Sequence, residues 1–449
     1  MQILSKEYTT EITKTLKLAF PIMVAQLGVV LMGITDNLMV GRFIGKIGLG
    51  ASGIANSIAF LIGSIAIGGM SVVAPLISKA KAENNPAEIN RLFRASIKAA
   101  LWFGLILGVI GWVCVVYFDV FRQSPEISES APSFLAVMII SNLFLFVFAA
   151  TKQLSDGLSH TYVAMVITFL GLIFNLVFNI LLINGYWGFP AMGLIGAAVS
   201  TLITRILMMI ALLIYIYQNP IFKEYLQQKY NSLKTNDLVI QIFKLGVPSG
   251  LQFFFEIAAF SLAVVMMGWL GEDQLAAHQI AINIASATYM MASGIGVAGG
   301  IRVGEGRGLR SKHHISISGN VAYGVVVVFM LFCMLTLICF DRFLVESYIK
   351  DTAVIDIAIR LMVIAAIFQL SDGVQVVALG TLRGLSDVNI PTVITMFAYW
   401  GVSLPLGYYL AFNQKMDAEG VWYGLLAGLT ASAVLLTSRF YYLLKRRSF

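Results

Sequence analysis

The sequence predicts an all-α integral membrane protein with twelve transmembrane helices, in two six-helix lobes related by a parallel internal repeat. Three observations predict it. The 449 residues are 59% hydrophobic and 12% charged, with a mean hydropathy of +0.85, whereas soluble domains carry about 25% charged residues. Twelve apolar runs recur from end to end, each long enough for a hydrocarbon core that takes about 20 helical residues to cross. Matching residues recur at a nearly constant offset of 226 or 227 positions.

The runs follow one another with recognisable punctuation. The first, 17–41, holds Pro21 and Asp36 and stops before Arg42. Met1 to Lys17 is polar, and this run is too long for a cleavable secretion signal. Runs 50–77 and 96–118 flank a basic loop with Lys79, Lys81, Arg91 and Arg94. Run 132–152 ends at Lys152, run 161–183 holds Asn175 and Asn179, and run 192–217 holds Arg205. A polar segment with Lys223, Glu224, Lys229, Asn231 and Lys234 follows. It reads as a cytoplasmic linker, 218–239, between a first lobe, 1–217, and a second, 240–449. Run 240–270 repeats the proline as Pro248 and adds Glu256, and run 275–301 leads into the basic stretch 302–312. Run 315–340 holds Cys333 and Cys339, run 354–381 holds Asp372, run 389–411 holds Pro405, and run 420–443 ends before Lys445, Arg446 and Arg447. Gly104 with Gly108, and Gly424 with Gly428, have the spacing of close helix packing.

Lysine and arginine give the chain an orientation. Alternate connections divide them 21 against 6, and Arg205, Arg360 and Arg439 fall within runs. The positive-inside rule then places both termini in the cytoplasm. Snorkelling to an interface accounts for Arg360 and Arg439, whereas Arg205 lies deeper and has no account from sequence. The net charge of +7 sits between apolar runs rather than on one soluble face, which argues against a nucleic-acid partner.

The repeat runs almost the length of the chain. The stretch ending at Pro21 matches that ending at Pro248, Leu49 and Ala51 match Leu275 and Ala277, and Gly157-Leu-Ser159 matches Gly384-Leu-Ser386. Val166-Ile-Thr168 matches Val393-Ile-Thr395, and Ala191 and Gly193 match Ala418 and Gly420. Six helices per half is an even number, so the second half re-enters in the same orientation as the first.

Three acids stand inside the runs, where a charge costs about 2.5–3.5 kcal/mol and marks a pathway or a site. Asp36 lies six residues before Arg42, roughly 9 Å along a helix. Glu256 and Asp372 fall near the middle of the seventh and tenth helices. Gln369, Asp372 and Gln375 make a polar stripe, as do Ser249, Gln252 and Glu256, and Asn175 and Asn179 project together from the fifth helix. Carboxylates with amide and hydroxyl oxygens suit a hard cation such as sodium at Asp36, Glu256 and Asp372. The same groups, walled from water, can instead carry a proton. A single buried acid can simply anchor two helices, and the paired asparagines can do the same. Three such acids in one chain point to function. The three cysteines and four histidines have no metal-site spacing, and buried inert thiols are expected. No phosphate-binding Gly-rich loop and no His-Glu-x-x-His pattern occurs, so neither ATP nor a cofactor is expected. An enzyme with Glu256 and Asp372 as an acid pair lacks a nucleophile.

The ordered set resembles the multidrug and toxic compound extrusion (MATE) transporters of the bacterial NorM-type branch. It comprises Pro21 followed by Thr35-Asp36-Asn37 and Met39-Val40-Gly41, Pro248 followed by Glu256, then Gln279, Tyr289 and Gln369-Leu-Ser-Asp372-Gly. The resemblance covers essentially the whole chain. It implies a cytoplasmic (inner) membrane antiporter, usually a monomer, in which sodium or proton entry drives export of amphipathic, often cationic compounds by alternating access. It implies that Asp36 is the first-lobe cation acid with Asn175, Asn179 and Thr201 as companions. Glu256 and Asp372 match the second-lobe acids, with Gln279 and Tyr289 at nearby polar positions. Some relatives carry a tyrosine four residues before the helix-10 acid, where this chain has Phe368. A lipid-linked or polysaccharide flippase of the same broad superfamily is the alternative. Such flippases tend towards a cationic cavity, whereas the buried charges here are mostly acidic.

Overall fold

A computed structural model describes residues 2–228 and 232–446. Lys229, Asn231 and Arg447, which entered the linker and charge readings, lie outside those residues, as does the side chain of Lys234. Among the described residues, twelve helices are long and apolar enough to cross a membrane. They are α1 (Lys6–Phe43), α2 (Lys46–Ala82), α3 (Pro86–Val116), α4 (Pro125–Gly157), α5 (Thr161–Asn184) and α6 (Gly193–Gln218), then α7 (Thr235–Leu270), α8 (Glu272–Gly308), α9 (Lys312–Cys339), α10 (Thr352–Gly384), α11 (Asn389–Asn413) and α12 (Asp417–Arg446). No strand occurs among the described residues. Lipid offers backbone amides no partners, so each span satisfies its own.

The repeat extends to the ends of these helices. Asn85 caps α3 by accepting from Glu88 N at 3.1 Å, and Ser311, 226 positions on, caps α9 by accepting from His314 N at 3.2 Å. The residues just before these caps, Asn84 and Arg310, are both left-handed, with φ of 51° and 52°. Ser159 and Ser386, with φ of 69° and 54°, are likewise paired. These are conformations that side-chain-bearing residues seldom adopt. Their recurrence at the repeat offset shows that turn geometry, and not apolar composition alone, is duplicated.

The chain divides into two compact units, one of residues 24–250 and the other of 1–23 with 251–449. The two divisions are 227 positions apart, and each falls two residues after a proline inside a helix, Pro21 in α1 and Pro248 in α7. Proline removes a backbone donor and loosens the local ladder. The first stretch of α7 packs on α2 within the first unit: a Cβ on Gly246 would lie 2.8 Å from Gly69 O, and Ser249 Oγ meets Ser71 Oγ at 3.2 Å. The first stretch of α1 packs on α8 within the second, where a Cβ on Gly294 would lie 2.7 Å from Met23.

Each unit is built round one central helix. In the first, α4 touches α2, α3 and α6; in the second, its repeat partner α10 touches α8, α9 and α12. Glycines let α8 and α10 meet backbone to backbone, since a Cβ on Gly300 would lie 2.5 Å from Gly380 O. Of the glycine pairs singled out in the sequence, Gly424 and Gly428 pack hard against α11, and Gly104 against Leu143. Gly108 faces open space, so its half of that spacing does not mark a contact. The helix α11 contains two π-helical stretches, Phe397–Ser403 and Tyr409–Asn413. Of the three cysteines expected to be buried, Cys333 is buried, Cys114 is half-buried and Cys339, the last residue of α9, is exposed.

Candidate functional site

The predicted acids form two separate clusters, one in each unit. In the first, α1 presents Asp36 to α5 and α6. Asn179 Nδ2 donates to Asp36 Oδ1 at 2.6 Å, and the Thr201 hydroxyl donates to Asp36 Oδ2 at 2.9 Å. Asn175 Oδ1 accepts from Asn179 at 3.2 Å, Asn175 donates to Thr201 Oγ1 at 3.4 Å, and Ser200 donates to the Asn175 carbonyl at 3.0 Å. Asn175 and Asn179 are wholly buried. The four-residue spacing along α5 and the facing Thr201 on α6 therefore converge on one carboxylate.

Arg205, which the sequence left without an account, belongs to this cluster. It lies one helical turn beyond Thr201 and interacts electrostatically with Asp36. Its NH1 donates to Ser141 Oγ at 3.1 Å and to Asn142 Oδ1 at 2.8 Å, both on α4.

The second cluster joins α7, α8, α10 and α11. Glu256 Oε1 accepts from the Tyr399 hydroxyl at 3.2 Å and from Gln375 Nε2 at 3.4 Å, and Tyr289 lies close to this carboxylate. Gln375 Nε2 reaches Tyr399 Oη at 2.9 Å. Asp372 is 3% exposed and lies within electrostatic reach of Glu256. No described residue hydrogen-bonds its carboxylate, in contrast with Asp36 and Glu256. Gln369 is buried, accepts from Thr288 at 2.9 Å and leaves its Nε2 without an acceptor.

Two carboxylates sharing a dry site cannot both stay bare, because like charges repel strongly there. A proton or a small cation resolves that repulsion. Glutamine, tyrosine and carboxylate oxygens are hard donors suited to such an ion. Among the described residues no group of three or more His, Cys, Asp or Glu side chains could hold a metal. The site's capacity therefore rests on two acids with neutral oxygens.

Three sequence readings come apart here. Ser249, Gln252 and Glu256 do not act as one stripe: Ser249 meets Ser71, while Gln252 accepts from Arg383 at 3.1 Å and donates to the Val388 carbonyl at 3.1 Å. Arg383 does not sit in a loop, because α10 continues to Gly384 and buries it against Phe253, 5.1 Å from the ring centre. Gln279 is exposed on α8, ten positions before Tyr289, and makes none of the contacts of the second cluster. Tyr399 was missed, since one aromatic in an apolar run carries no signal.

The chain is similar throughout to known proteins. The profile of the MatE family matches residues 21–181 and 248–409, one stretch in each repeat. A probable multidrug resistance protein NorM from Brucella suis biovar 1 is 31% identical over 438 residues, covering 96% of this chain and 92% of that protein. Multidrug resistance protein NorM from Aliivibrio fischeri is 32% identical over 447 residues, covering 97% and 95%. In fold the chain is similar to the eukaryotic MATE transporter AtDTX14, with a TM-score of 0.89 at 17% identity over 98% of both chains. It is similar also to an outward-facing multidrug resistance MATE family transporter of the MOP superfamily, with a TM-score of 0.87 at 16% identity over 97% of both.

Proposed function

Because this chain belongs to the MatE family, in its bacterial NorM-type branch, we propose that it is a cation-coupled multidrug exporter. Sodium or protons entering the cell drive amphipathic, often cationic drugs or toxic metabolites outward across the inner membrane by alternating access. Both termini face the cytoplasm, the chain acts as a monomer, and it uses no cofactor besides the coupling ion. The substrate class follows the NorM relatives, which are named as multidrug resistance proteins.

One observation carries the coupling. Glu256 and Asp372 are both buried and adjacent in charge, and Asp372 has no hydrogen-bond donor among the described residues. The pair is costly bare and is relieved by a cation or a proton. A ligand shifts a conformational equilibrium only by its differential affinity for the two states. Antiport therefore needs the cation and the drug to favour opposite states.

The test is ethidium export from proteoliposomes with sodium and proton gradients imposed separately. The parent should export under at least one gradient, and Asp36→Asn and Asp372→Asn should export far less. Equal gradient-driven export by the parent and both variants would sink the assignment.

A further inference from the structure

We propose that Arg205 is a tethered counter-cation for Asp36, which neutralises that acid whenever the coupling cation is absent. The inference rests on the antiport reading and assigns Arg205 a positioning role within it.

The geometry holds the guanidinium at one end only. NH1 is fixed by Ser141 and Asn142 at 3.1 and 2.8 Å, and Asn142 is itself fixed by donating to the Ala59 carbonyl at 3.1 Å. Among the described residues Nε and NH2 have no hydrogen-bond partner, although guanidinium has five N–H donors to satisfy. A side chain kept merely to tie α4 to α6 would not need a charge, which is costly at this depth. Asp36 is the acid whose charge acts on Arg205, at a separation beyond a direct ion pair, and Thr201, one turn before Arg205 on α6, hydrogen-bonds that carboxylate. The carboxylate is meanwhile approached by donors, Asn179 Nδ2 and the Thr201 hydroxyl, at 2.6 and 2.9 Å. A bound cation would need Asn179 to turn towards it the Oδ1 that has no partner in this arrangement. The Asp36 cluster is thus in the arrangement of a carboxylate satisfied from within the protein.

The repeat supports the pairing. In the second half Asp36 corresponds to Ala263 and Arg205 to Ser432, so the acid and the base are absent together. The two sites also differ in formal charge. Asp36 with Arg205 is neutral, whereas Glu256 and Asp372, with Arg383 within electrostatic reach of Glu256, leave one negative charge over. The second site has the standing demand for a cation. A cation at the first must compete with the nearby charge of Arg205.

The experiment uses the full chain in proteoliposomes, with ethidium as the drug and sodium or proton gradients imposed separately. Arg205→Met should lower the half-saturating cation concentration by about tenfold, a change of about 1.4 kcal/mol, because the cation no longer competes. Arg205→Lys keeps the charge and should move it less. In detergent, Asp36→Asn and Arg205→Met should each lower the melting temperature, and the double variant should recover part of the loss. Unchanged cation dependence in Arg205→Met, or a double variant no more stable than the worse single one, overturns the proposal. Failure of the parent to export under either gradient overturns the antiport reading instead. The melting comparison needs no transport and still decides whether the two charges are paired.

Discussion

Tyr399 donates its hydroxyl to Glu256 at 3.2 Å from within the π-helical stretch Phe397–Ser403 of α11. Four residues before Asp372, α10 carries Phe368, which has no hydroxyl and packs edge-on against Trp422 with ring centres 5.6 Å apart. The phenol that reaches the Glu256 carboxylate comes from α11. The extra residue of a π turn re-aims side chains, and such turns gather at functional sites.

Tyr399→Phe should therefore tighten cation binding rather than abolish it. The phenol stabilises the bare Glu256 carboxylate, and its removal leaves that state short of one donor, at a cost of about 1–3 kcal/mol. The half-saturating cation concentration for export should fall about fivefold or more, and maximal turnover should fall as release slows. Phe368→Tyr in the same background should not reverse this, since that side chain is directed at Trp422. Cation titrations of ethidium efflux check both, and an unchanged half-saturation value contradicts the role.

The close approach of α8 and α10 makes a sharper prediction about stability. A methyl at Gly300 would meet the Gly380 carbonyl at 2.5 Å, and backbone cannot swing aside. Overpacking costs about 1–3 kcal/mol, more than the roughly 1 kcal/mol that alanine gains over glycine in a helix. Gly324, on α9, has no neighbour within 4 Å of the added methyl. Gly300→Ala should melt lower than the parent, and Gly324→Ala should match or exceed it. Thermal melts in one detergent compare them directly.

Much of this was legible because lipid makes charge and length conspicuous. Asp36, Glu256 and Asp372 stood out as acids in apolar runs, and Asn175, Asn179, Thr201, Tyr289 and Gln375 joined them in the structure. Helical spacing alone aligned Asn175 with Asn179. The 227-residue offset foretold which turns would match, down to Ser159 and Ser386. What stayed hidden depends on which helix faces which. Ser249 and Gln252 are three apart on one continuous helix, yet the compact units divide between them. Arg383 borders an apolar run and counts as a loop charge until the last turns of α10 are seen to bury it. Arg205 was visible as an anomaly, but its neighbours lie on α1 and α4, far away in the chain.

Arg302 is another buried charge that sequence assigned to a loop. It is 4% exposed on α8, and Glu11, at the start of α1, is 5% exposed. Arg302 Nε and NH2 donate to the two Glu11 oxygens at 2.7 and 2.5 Å, and Ser318 on α9 donates to Glu11 Oε1 at 2.8 Å. Arg302 also pairs with Glu305. The first stretch of α1 is thereby held to α8 and α9 inside its own unit. Removing one member of a buried pair strands the other, at about 3–5 kcal/mol. The costs should be unequal. Glu11→Gln leaves Arg302 with Glu305 and should sit near the low end, about 3 kcal/mol. Arg302→Met strands Glu11 with only Ser318 and should cost more. The double variant Glu11→Gln/Arg302→Met removes both charges and should melt above Arg302→Met alone. Melting temperatures of the four purified proteins decide it, and strictly additive losses would show that the two side chains are not coupled.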